Sequence, residues 1–83
     1  MSERWRWKNS EFQAAQVCRG RTLPSGVIRG WSKYDVNIIG TVVVDFMHTN
    51  VKDGDWVRYD EFGNVKAVIS DERLRSLAVS LED

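Results

Sequence analysis

Cys18 is the only cysteine of this sequence, so no intrachain disulfide and no thiolate metal cluster can form. His48 is the only histidine, which removes histidine pairs and clusters. A Cys18–His48 dyad needs only that the two side chains meet in space, yet nothing around either residue resembles a nucleophile turn. The glycines fall singly, so no glycine-rich loop is present to cradle phosphate. The acids at Asp53, Asp55, Asp60 and Glu61 lack the alternating spacing of a calcium loop; turn-forming aspartates and solvated charge account for them. Long apolar runs are missing too. The most apolar stretch, residues 36–46, is broken by Asn37 and Asp45 and is too short to span a bilayer. The first eight residues carry charge where a signal peptide requires an apolar run. These absences lead us to expect a cytoplasmic, non-enzymatic protein without cofactor, metal or membrane attachment.

The composition that remains is globular: 42% hydrophobic and 29% charged residues. At 83 residues, one domain spanning 1–83 is expected, because two cores would each be too small to be stable. Such a domain buries only about 60–65% of its unfolded surface, so large side chains carry unusual weight. Four Trp, three Phe and two Tyr are available, and each aromatic can bury roughly 150–250 Å². The zero net charge hides a polarity: residues 1–33 hold seven Lys/Arg against two Glu, and residues 34–83 hold five against ten Asp/Glu. Such an imbalance either marks a partner surface or cancels when the halves pack together.

Along the chain, Thr22-Leu23-Pro24-Ser25-Gly26 reads as a turn. Before it, Trp5 and Trp7 alternate with Arg4, Arg6 and Lys8, the pattern of a strand with one aromatic face. Residues 11–18 are open between helix and strand. Ser10 and Gln13 resemble a capping box and Gly20 a helix stop. After the turn, Val27–Trp31 is a short strand candidate and Asn37–His48 a stronger one. Alternation in the latter places Val42, Val44 and Phe46 on one side and Val43, Asp45 and Met47 on the other. Trp56–Tyr59 and Val65–Ile69 form the clearest hairpin, closed by Gly63-Asn64. Ser70 is the N-cap of a C-terminal helix reaching Leu81, whose Leu74, Leu77, Ala78 and Leu81 make an apolar stripe. The expected fold class is α+β: a small antiparallel sheet or partly open barrel of four to five strands, with the C-terminal helix packed on it.

The string Arg4-Trp5-Arg6-Trp7-Lys8 is the most distinctive. As a strand it sets three cations against two indoles, and Trp7 is the more secure of the two indoles as a core residue. It reads as a nucleic-acid strip, as a protein-binding edge rich in hot-spot residues, or as core indoles flanked by solvated charge that blunts an edge. Candidate partner-binding residues are therefore Arg4, Trp5, Arg6, Lys8, Arg29, Trp31, Asp53, Asp55, Asp60 and Glu61.

Phe12-Gln13-Ala14-Ala15-Gln16, Val51-Lys52-Asp53-Gly54-Asp55-Trp56-Val57 and Gly63-Asn64-Val65 together resemble a family of short proteins common in tailed phages and prophages. Its pattern is a Glu-Ala-x-Gln-like strand, a Gly-Asp-Trp/Tyr-aliphatic hairpin and a Gly-Glu/Asn-aliphatic return. The likeness covers about half the chain and lies mostly in the Gly-Asp-Trp hairpin. The chain departs from the pattern at Leu74 and Leu77, where the family tends to have a Pro-containing strand leading to Phe and Tyr. The resemblance implies a phage-encoded accessory protein with no established catalytic residues, and it favours a strand over residues 11–17.

The expected function is thus a non-enzymatic interaction protein, phage- or prophage-encoded, that binds and modulates a host protein in the host cytoplasm, an anti-defence inhibitor among the roles. The alternative is a small nucleic-acid-binding barrel using the basic Trp-bearing segment. The oligomeric state stays open, a homodimer included.

Overall fold

The computed structural model describes residues 2–30 and 32–82. Alternation at the N-terminus yields β1 (Glu3–Trp7), which turns through Lys8 and Asn9 into β2 (Ser10–Gln16). The register sets Trp5 opposite Phe12 and Arg6 opposite Glu11. Residues 10–16 are thus a strand. The capping-box pattern loses because its apolar residues, Phe12 and Ala14, recur with period two and share one buried face.

β3 (Ile28–Arg29), β4 (Ile38–Val44) and β5 (Met47–Lys52) follow, then β6 (Trp56–Tyr59), β7 (Val65–Ile69), helix α1 (Asp71–Leu77) and β8 (Val79–Ser80). One sheet has the order β7-β6-β2-β1-β8 and the other β3-β4-β5, with every pairing antiparallel. The architecture is mostly sheet with one short C-terminal helix. The expected hairpin, β6–β7, forms with a register shift between Arg58 and Tyr59. Asp60 closes its loop by accepting the amides of Phe62 and Asn64, each at 2.9 Å.

Three expectations are corrected. Asn37–His48 is two strands, because Asp45 and Phe46 form a two-residue loop with φ of +51° and +65°. Such a loop requires positive φ at both positions, normally supplied by Asn or Gly. Here it hides inside an apolar run, so Phe46 sits at a hairpin tip instead of sharing a face with Val42 and Val44. The β6–β7 hairpin and the Thr41–Val44 segment belong to different sheets, so one sheet of four to five strands does not describe the molecule. The helix ends at Leu77, short of Leu81. Ala78 leaves it in extended conformation, and Val79 and Ser80 pair with Arg6 and Trp5. The backbone groups on the edge of β1 offer these residues hydrogen bonds, and Val and Ser are mediocre helix formers.

The five-stranded sheet carries a separate core on each face. On one side Trp5, Phe12, Ala14 and Trp56 pack against Leu74 and Ala78. The two indoles meet edge-to-face at 5.2 Å between centroids. On the other side Ala15, Val17, Val57 and Tyr59 pack against Ile39, Val42 and Val51 of the three-stranded sheet. The latter sheet brings β3 close to β4 only because position 40 is glycine. A Cβ there would lie 2.8 Å from the Ile28 carbonyl oxygen.

Candidate interaction surfaces

The pleat separates the basic strip into its parts. Trp5 is 2% exposed and belongs to the core, whereas Trp7 is 40% exposed. The expected order of their burial is therefore reversed. Proximity to the chain end does not free Trp5, because β8 pairs on its outer side: Leu81 donates its amide to the Arg4 carbonyl at 2.9 Å. Arg4 and Arg6 are exposed on the opposite face from the indoles. The Glu82 carboxylate accepts the Arg4 amide at 3.1 Å and lies 3.5 Å from its Nε. Lys8 stands in the hairpin loop with φ +60°, its ammonium 5.5 Å from the Trp7 ring centroid. It therefore does not continue the Arg4–Arg6 row. The strip therefore presents one partly exposed indole, Trp7, with Lys8 beside it, and its Arg4–Arg6 row faces the other way.

The acidic candidates hold backbone. The Asp53 carboxylate accepts the Arg19 amide at 2.8 Å and Asp55 the Lys52 amide at 3.0 Å, while Asp60 closes the β6–β7 loop. Only Glu61, exposed beside Asp60, has no such hydrogen bond among the described residues. Arg29 is exposed on β3 and lines a cavity of about 310 Å³ with Arg19 and Arg21; the Arg19 guanidinium also donates to the Val36 carbonyl. Trp31 lies outside the described residues.

Asp71 is the most highly connected carboxylate. Its Oδ1 accepts from Trp56 Nε1 at 2.8 Å, Arg75 Nε at 2.9 Å and Gln16 Nε2 at 3.4 Å, tying α1 to β6 and β2. The Trp56 hydrogen bond above all, helped by Arg75, holds its pKa below the ordinary carboxylate value. Backbone amides do the same for Asp35, chiefly through Asn37, and for Asp60, chiefly through Asn64. A depressed native pKa contributes stability that is complete above the unfolded value of about 3.9 and is lost as pH falls through the native one. Urea midpoints should therefore be flat from neutrality to about pH 5 and drop below about pH 4. Asp71→Asn should flatten part of that drop; an unchanged acid slope in this variant would refute the assignment.

What the sequence reading missed is apolar. Phe46 is wholly exposed and Met47 71% exposed at the β4–β5 tip. Val43 and Ile28 are also exposed; Ile28 pairs with Thr41, which shares the outward face of β4 with Val43. Among the described residues β5 has no strand on its outer side. Because the loop closes on the Val44–Met47 pair, ladder alternation points the peptide groups of His48 and Asn50 away from β4. The only sequence signal was Asp45 interrupting an apolar run.

Among the described residues no three His, Cys, Asp or Glu side chains gather as a metal-ligating group, and no helix is long and apolar enough to cross a membrane. Comparison with family models, curated proteins and solved structures finds no match to this chain.

Proposed function

We propose that this chain is a non-enzymatic interaction protein that grips a protein partner through its three-stranded sheet. The observation that carries this reading is the wholly exposed Phe46 beside Met47 at the end of a free-edged strand. The two-residue loop fixes the backbone that carries this aromatic, so seating it in a partner's pocket orders the side chain alone. The open edge of β5 offers main-chain hydrogen bonds to an extended segment of the partner. The resemblance of residues 51–57 to phage accessory proteins supports a host protein as that partner and modulation of it as the outcome.

The test is co-purification from host lysate with wild-type protein and with Phe46→Asp, followed by titration of the captured protein. A stoichiometric complex weakened on the order of 100-fold by Phe46→Asp, as loss of a hot-spot aromatic implies, is expected. The thermal midpoint should stay within a few degrees, because the side chain makes no buried contact. No partner, or a partner held equally by the variant, refutes the reading. Salt-dependent oligonucleotide binding in place of a protein would install the nucleic-acid alternative.

A further inference from the structure

The face of the five-stranded sheet beneath α1 is only partly covered, since the helix has seven residues. Leu74 and Ala78 seat it in the core around Trp5, while Leu77 is 41% exposed. Beside it lies a cavity of about 380 Å³, within the low end of the range of roughly 300–1,000 Å³ that small-molecule sites occupy. Its walls are Phe12, Ile69, Leu74 and Leu77, with Trp7 at the rim.

Two arginines, Arg58 and Arg73, also line this cavity, and no carboxylate does. Arg58 is opposite Ala14 on one neighbouring strand and Ala67 on the other. These small side chains leave a trough in which its stem lies, and its guanidinium is 4.5 Å from the Phe12 ring centroid. Arg58 Nε is buried without a hydrogen-bond partner among the described residues, and neither arginine enters a salt bridge there. A buried donor on a charged group is costly to leave unpaired. With Nε enclosed, the terminal Nη groups are what Arg58 offers to the cleft, and paired guanidinium N–H groups match a carboxylate bidentately.

We infer that this cleft binds a small organic carboxylate, its charge taken by Arg58 with Arg73 and its aromatic or branched body held by Phe12, Leu77 and Trp7. The site is on the helix side of the five-stranded sheet, the face opposite the one that packs on the three-stranded sheet, so it stands or falls independently of the protein-binding reading.

Phenylacetate and its neutral isostere phenylacetamide, titrated into isotopically labelled full-length protein and followed by NMR, test it. Expected are saturable shifts at the Trp7 indole, the Arg58 Nε–H and the Arg73 and Leu77 amides with phenylacetate, at least about ten-fold weaker with the amide, as loss of one charge-assisted pair implies. Arg58→Gln should weaken phenylacetate by a similar factor, with Arg58→Lys intermediate. Absence of saturation by about 10 mM phenylacetate, equal binding of the amide, or shifts centred on Phe46 and Met47 would each overturn the site. Because the two ligands are compared on wild-type protein, the outcome stands even if an Arg58 variant fails to fold.

Discussion

Trp56→Ala is expected to lower stability by about 3–5 kcal/mol, a large fraction of the total. A domain of this size has about 4–12 kcal/mol in total at the usual 0.05–0.15 kcal/mol per residue. Trp56 is among the largest fully buried side chains. It packs edge-to-face on Trp5 and donates its indole N–H to Asp71, so truncation removes apolar burial, an aromatic pair and an inter-element hydrogen bond together. Denaturant unfolding followed by circular dichroism measures the sum, and conservative variants separate its parts. Trp56→Phe keeps a ring and removes the hydrogen bond to the charged Asp71, which retains Arg75, at an expected cost of about 1–3 kcal/mol. Trp5→Phe removes an indole N–H that has no partner among the described residues, so its polar loss should be negligible and its cost smaller. A larger loss for Trp5→Phe than for Trp56→Phe would show that this hydrogen-bond assignment is wrong.

Leu74→Ala is the second large effect, with about 2–5 kcal/mol expected. Leu74 is the one buried residue of α1, and a seven-residue helix has no stability of its own in water. Ser70 caps it by accepting the Arg73 amide at 3.3 Å, but a cap contributes only about 1 kcal/mol. The loss should therefore be local first: hydrogen exchange at the Ala78 amide, which donates to the Leu74 carbonyl at 2.9 Å, should accelerate well before exchange in β2 and β6. A cost below about 1 kcal/mol, or uniform loss of protection, would refute the view that one leucine docks the helix.

Much of this was legible in the residues. The alternation of Arg4 through Trp7 revealed β1 and its two faces, Gly63-Asn64 revealed the β6–β7 loop, and Ser70 revealed the helix start. Each is a local signal, in which a few neighbouring residues satisfy one backbone geometry. The β4–β5 turn was not legible, because Asp45-Phe46 lacks the glycine or asparagine that would announce positive φ and stands among β-branched residues. The end of α1 was not legible either, since the strand edge that draws Val79 and Ser80 out of the helix is more than seventy residues away in sequence.

The candidate surfaces divide in the same way. Residue types alone singled out the Arg/Trp strip and the acidic turns, but an indole has the same sequence signature whether it is buried or exposed. Trp5 became core because β8 and α1 close over it, and Asp53, Asp55 and Asp60 were taken up by nearby amides. Sequence by itself determined the predominance of strands with one C-terminal helix, the β6–β7 hairpin and the helix cap, since these follow from periodicity and turn chemistry within about ten residues. Tertiary structure decided the division into two sheets, the exposure of Phe46 and the unpaired Nε of Arg58. The first and last depend on which distant strands become neighbours, and no window of sequence contains both partners; the exposure of Phe46 follows from a local turn that its residue types do not announce.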